Sequence, residues 1–223
     1  MVKAMTSHSP GESFEKLVFI HADASLLVVC KPAGLLSVPG RGADKQDCVA
    51  SRVQAAHTDA LVVHRLDMAT SGLMLFARGA EVQRQLSMAF EARAVSKRYI
   101  AVVQGWVALD AGEIDLPLLT DWPNRPLQKV DAENGKPSLT RYSVLSRDTS
   151  QNNSRLLLEP VTGRSHQLRV HLRELGHPIW GDALYAPPPV LALSPRLLLH
   201  ATSLHFSHPE TGEVLHFDSA APF

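Results

Sequence analysis

Two cysteines, Cys30 and Cys48, are all that this chain of 223 residues contains. They supply neither a disulfide framework nor paired metal-ligand spacing. Cys30 closes an apolar run over residues 26–30 and reads as a small buried hydrophobe rather than a nucleophile. Net charge is lacking too: 22 basic and 22 acidic residues cancel to +0, which excludes a polycationic, tail-driven nucleic-acid binder. No run approaches the ~18 apolar residues of a membrane span, and the opening MVKAMTSHSPGESFEK has no apolar signal-peptide core. A cytoplasmic protein without a membrane partner is expected. A Walker-type glycine loop and a dinucleotide fingerprint are also missing, as is a serine elbow.

What the chain does have is many short apolar strands. Residues 17–20, 26–30, 61–63, 73–77, 98–107, 139–145, 155–159, 197–206 and 214–217 read as strands, the 98–107 run buried on both faces. Three helices are expected. One covers 45–57 with Asp44 as its cap, one covers 80–93 with Val82, Leu86 and Phe90 at four-residue spacing, and one covers 165–175, ended by Gly176. Residues 108–137 are rich in Pro, Gly, Asn and Asp and read as loop with one short strand. Strands outnumber helices and links are short, so the fold class is α+β: one domain over 16–223 with a mixed, mostly antiparallel sheet flanked by helices and loops. The polar residues 1–15 read as a flexible leader. That leaves no room for a separate N-terminal RNA-binding domain of the S4-like kind.

The most telling stretch is LVVHRLDMATSGLMLFAR over residues 61–78, where an apolar strand delivers Asp67 to a polar turn and a second apolar strand leaves it. Arg65 stands two residues before Asp67, on the same side of an extended backbone. Read alone, the stretch is an ordinary hairpin. Between residues 161 and 173 stand Arg164, Arg169, Arg173, His166 and His171, with no acid among them. On a helix, His166, Arg169 and Arg173 share one face opposite Leu168, Leu172 and Leu175, which suits phosphate contact. The histidine pitch does not suit a two-histidine metal site, and no metal is expected.

The longer pattern changes the reading. CKPAGLLSVPG (30–40), HRLD (64–67), SKRYIA (96–101), DWPNRP (121–126), TGRSHQLRVH (162–171) and GHPIWGD (176–182) together resemble, in order, the motifs of the RluA-type pseudouridine synthase family. The resemblance implies an isomerase that converts uridine to pseudouridine in RNA, working as a monomer and without a cofactor. It makes Asp67 the carboxylate at the anomeric carbon, where glycosidic cleavage builds positive charge. Covalent addition to C1′ and proton removal to a glycal both remain open. Arg164 matches the arginine that pairs with that acid, and Tyr99 the tyrosine that stacks on the detached uracil and helps remove the C5 proton. Arg65 either fills the stack vacated by a flipped uridine or pairs with Asp67. Lys31, Arg125, Lys129, His166, Arg169 and Arg173 are the implied RNA contacts. The 122–130 loop resembles the dual-target type, which acts on 23S rRNA and on the tRNA anticodon stem-loop. The competing readings are a single different RNA target, a catalytically silent RNA-binding module, and a hydrolase pairing Asp67 with a histidine such as His64.

Overall fold

Residues 26–29 and 72–77 are buried on both faces of their strands, and such runs can only be central strands of a covered sheet. In the computed structural model, which describes residues 17–223, they are. The expected leader lies outside the described residues. The elements run β1 (Val18–Ala22), β2 (Leu26–Lys31), α1 (Val49–Ala56), β3 (Ala60–Val62), β4 (Ser71–Arg78), α2 (Ala80–Glu91), β5 (Ser96–Gln104) and β6 (Ala111–Asp115). There follow β7 (Leu118–Thr120), β8 (Gln128–Val130), β9 (Leu139–Asp148), β10 (Asn153–Pro160), α3 (Gln167–Glu174), α4 (Pro188–Leu191), β11 (Leu199–Ser207) and β12 (Val214–Asp218).

Ten strands form one sheet in the order β1-β2-β4-β11-β5-β10-β9-β6, with β12 beside β11 and β3 beside β4. Every pairing is antiparallel except β4 with β11, which is parallel and only two residues long. At that seam Gly72 faces Ala201 at φ +115, where a Cβ would stand 2.2 Å from the Ala201 carbonyl oxygen. Glycine is the residue that fits. The Ser71-Gly72 pair, unremarkable as a turn, is therefore the point where the two halves of the sheet join.

Two expectations are corrected. The first helix starts at Val49, not at 45, because the buried Cys48 caps it in a box with Ser51: Ser51 N donates to Cys48 Sγ at 3.3 Å, and Cys48 N to Ser51 Oγ at 3.1 Å. Asp44 lies in a separate turn of 3-10 helix, Ala43–Lys45. Residues 108–137 hold three strands instead of one, β6 on the main sheet and the β7–β8 pair. Strands of three to five residues leave too short an alternation to stand out against Pro and Gly. The third helix behaves as read at its end: Gly176, at φ +87, follows it, and His177 N and Gly176 N donate back to Leu172 O and Arg173 O.

Candidate active site

Asp67 sits where a strand pairing stops. The β3–β4 ladder ends at Val62 and Phe76, and the next β4 amide, Leu75 N, donates instead to the His64 ring Nε2 at 2.9 Å. His64 stacks on Phe90 of α2 with ring centroids 4.7 Å apart. Burial, with the charge of Lys97, lowers the ring to about 3. A neutral imidazole thus replaces a strand partner and lets residues 63–70 leave the sheet. His64 is spent on the backbone and is no base for Asp67, which removes that histidine from the hydrolase reading.

Both peptide neighbours of Asp67 are held from behind by the 31–37 loop. Ser37 Oγ donates to Leu66 O at 2.6 Å and accepts from Leu66 N at 3.1 Å. On the other side, Lys31 Nζ and Gly34 N both donate to Met68 O, at 2.9 and 2.8 Å. Lys31 also donates to Leu35 O at 2.7 Å and Pro32 O at 2.9 Å. Lys31 is 0% exposed, and burial lowers its ammonium to about 7. The expectation of an RNA contact at Lys31 is therefore corrected: its three donors are consumed by carbonyls that shape the Asp67 turn.

Charge reaches Asp67 from α3. Arg169 Nη1 donates to Asp67 Oδ2 at 3.3 Å, while its Nε and Nη2 grip Asp182 at 2.9 and 2.6 Å. Arg169 is 4% exposed and Asp182 1%, so this bidentate pair is a buried one. Burial opposes the guanidinium's charge but Asp182 and Asp67 outweigh it, and its pKa is raised. Arg169 was expected on an RNA-facing surface; instead it is the inner cation that aims the carboxylate. The partner expected for Asp67 was Arg164, and that too is corrected: its Nε donates to Pro137 O at 3.3 Å, while its side chain lines the cavity mouth. Arg164 precedes the left-handed His166, at φ 55, and Arg169 stands three residues after it on α3, so the chain reversal there separates the outward Arg164 from the inward Arg169.

His166 is likewise inside. Tyr185 Oη accepts from Gln128 N at 2.9 Å and is hydrogen-bonded to His166 Nδ1 at 2.6 Å. The other ring nitrogen, His166 Nε2, faces Asp67 Oδ1 at 3.8 Å. Burial lowers the imidazole's pKa, with Asp67 opposing. Tyr99 arrives across the sheet: it opposes Ala201 on β11, which opposes Gly72 on β4. Burial, reinforced by the Asp67 carboxylate, raises its phenol above the ordinary value.

Asp67, Tyr99, Arg65, Arg164, His166 and Arg169 all line one cavity of about 810 Å³. Arg65 is exposed at it. Outside it, Arg125 lies over the exposed Trp122 ring, 3.1 Å from the centroid, and Lys129 Nζ is 3.8 Å from Asp131. Arg173 is half-buried, held by Glu174 and resting on Tyr185 with its guanidinium carbon 5.3 Å from the ring centroid. Sequence reasoning missed Asp182, Tyr185, Ser37, Arg93 and Lys97. Asp182 and Lys97 stand inside motif blocks already singled out, where a buried acid and a second cation beside the tyrosine were the readable signals. Ser37 also stands inside a quoted block, 30–40, while Arg93 and Tyr185 carry no local signal.

A sheet whose central seam presents a clamped aspartate, with a buried arginine behind it and a tyrosine across from it, matches one family along most of its length. The model of the RNA pseudouridylate synthase family matches residues 25–174. The chain is 50% identical over 207 residues to the dual-specificity RNA pseudouridine synthase RluA of Yersinia pestis, covering 93% of this chain and 100% of that one. To the enzyme of that name from Escherichia coli K12 it is 48% identical, covering 93% and 94%. Among solved structures it resembles human RNA Pseudouridylate Synthase Domain Containing 1, with a TM-score of 0.80, 28% identity and coverage of 97% and 87%. Domain Containing 4 follows at 0.72, 26%, and coverage of 92% and 88%. The chain belongs to the RNA pseudouridylate synthase family and is an isomerase acting on uridine in RNA.

Proposed function

We propose that this enzyme forms pseudouridine in both 23S rRNA and the tRNA anticodon stem-loop, with Asp67 as the reacting carboxylate. The observation that carries the assignment is the Asp67 side chain on the wall of the 810 Å³ cavity, fixed by Ser37 and Lys31 through its neighbours and by Arg169 directly. The names of the bacterial relatives support two classes of target RNA. A uridine flipped out of its stem at a cost of a few kcal/mol would present its anomeric carbon to this acid. Arg65, exposed two residues away, replaces the base in the stack. Its placement supports that role over a salt bridge, because Asp67 already has Arg169.

Both chemical routes use the same carboxylate. It adds to C1′ or takes the C2′ proton, the N1–C1′ bond breaks with its electrons passing to uracil, and the base turns to bond through C5. Tyr99 supplies the face on which the free base turns. Its raised pKa keeps the hydroxyl protonated, so it takes the C5 proton only in concert with giving up its own. The reading takes the enzyme as a monomer in the cytoplasm; among the described residues no helix is long and apolar enough to cross a membrane.

The test is Asp67→Asn, assayed on unmodified rRNA and tRNA transcripts with pseudouridine mapped by chemical adduct and primer extension. Wild type should mark one set of uridines in each RNA; the variant should mark none and bind both nearly as tightly. Residual turnover above a trace would remove Asp67 from the reacting position. Marking of one RNA class alone would narrow the target.

A further inference from the structure

Four cations that line the cavity, Arg65, Arg93, Lys97 and Arg164, have no ion-pair partner among the described residues. The other lining charges are accounted for: Arg169 by Asp67 and Asp182, Arg141 by Glu113, and Glu159 by Arg98, leaving the exposed Glu91. Two of the four, Arg93 and Lys97, stand in and just after the short link between α2 and β5 and line the cavity from there. Lys97 lies on β5 two residues before Tyr99, so both project from the same face of the strand, roughly 6–7 Å apart along it. Its ammonium is half-buried, 5.8 Å from the Phe90 centroid, and lies over Gly163, 3.6 Å from where a Cβ would stand there. No described side chain or carbonyl accepts a hydrogen bond from it, and burial lowers its pKa.

Arg93 follows the last turn of α2, whose cap is Ala92, at φ 61. That is the left-handed position where glycine is usual, and a residue with a Cβ costs stability there. The chain retains an arginine at that cost, with its side chain on the cavity wall.

We infer that Lys97 and Arg93 form a phosphate clamp for the RNA backbone beside the flipped uridine, Lys97 holding a phosphodiester while the base lies on Tyr99. The inference rests on the reading that the uridine enters at Asp67. Phosphate is favoured over the uracil ring because Lys97 stands among uncompensated cations on the cavity wall. An anion there removes the cost of a desolvated, unpaired ammonium.

The experiment measures affinity against salt for a stem-loop that the wild-type protein converts, with Lys97→Met and Arg93→Gly each placed in the Asp67→Asn background. Each should weaken binding roughly tenfold, the size of one charge-assisted hydrogen bond, and flatten the slope of log affinity on log salt by ~0.7. Arg93→Gly should do so while melting about 2 to 4 °C higher, because the strain is relieved. A folding defect cannot produce that pair of results. Lys97→Arg should restore the slope. With one methylphosphonate at a time beside the target uridine, wild type should lose affinity at a linkage to which Lys97→Met is indifferent. Unchanged slopes, or equal losses for Lys97→Met at every linkage, overturn the clamp; so does a fall in the saturated rate of the single Lys97→Met variant with affinity intact, which would turn Lys97 toward the base. Product formed in the Asp67→Asn background would overturn the catalytic reading instead, and the salt slopes would still report on the clamp.

Discussion

Removing Arg169 should separate what its guanidinium does for the fold from what it does for Asp67. Arg169→Met keeps the side chain's length and deletes two charge-assisted bonds to Asp182, 2.9 and 2.6 Å long, and one of 3.3 Å to Asp67. Asp182 is 1% exposed and cannot be rehydrated in place. Stranding one member of a buried pair costs about 3–5 kcal/mol, or about 6 to 20 °C of melting temperature for a chain of this size. The Leu184 and Tyr185 amides that Asp182 also accepts, at 2.9 and 3.2 Å, soften the loss toward the lower figure. Adding Asp182→Asn removes the stranded charge and keeps an oxygen for those amides, so the double variant should regain more than half of the stability. It does nothing for Asp67, which still lacks its cation. Turnover should stay down about 100-fold, the usual cost of misplacing a reacting group by an ångström. Urea unfolding and single-turnover pseudouridine formation at saturating RNA read the two effects separately. If the double variant recovers turnover along with stability, Arg169 is a fold element only and the claim that it aims Asp67 is wrong.

Tyr99→Phe keeps the stacking ring and removes the hydroxyl, so RNA affinity should persist while product formation falls severely; near wild-type turnover would leave the tyrosine as a platform alone. Gly72→Ala should prevent folding or cost at least about 3 kcal/mol, because its Cβ meets the Ala201 backbone at 2.2 Å. Gly176→Ala, at φ +87 with open space around it, should cost only about 1–2 kcal/mol; equal losses in thermal melts would discredit the seam argument. Acid should destabilise the protein early. Burial lowers His64 to about 3 and His200 to about 4 from 6.5, and it lowers His166 and His171 as well. A depressed histidine contributes its full stability above pH 6.5, and that contribution is lost as pH falls toward the folded value. His64 and His200 should each give up on the order of 2 kcal/mol by pH 5. Unfolding free energies that are flat between pH 7.5 and 5 would contradict their burial as neutral rings.

Local order was legible in the residues themselves. Short continuous apolar runs marked the strands that build the sheet, the four-residue stripe of Val82, Leu86 and Phe90 marked α2, and Gly176 marked the end of α3. Each follows from geometry between near neighbours, so the chain alone determines it. The family motifs also named Asp67 and Tyr99, because that resemblance is carried by contiguous strings. Partnership was not legible. Arg164 and Arg169 are both arginines in one basic run, and the left-handed His166 decides which of them turns inward. Lys31 reads as an RNA contact until Met68, 37 residues away in sequence, brings a carbonyl to it. Ser37 clamps the residue before Asp67 only because the sheet folds its loop beneath the turn. Burial turns these polar side chains from surface charges into fixed partners, since desolvation penalises a cation or hydroxyl that finds no acceptor. Which acceptor lies near is a property of strand order, and strand order is set by contacts far apart in the chain: the parallel β4–β11 seam at Gly72 joins residues 129 positions apart.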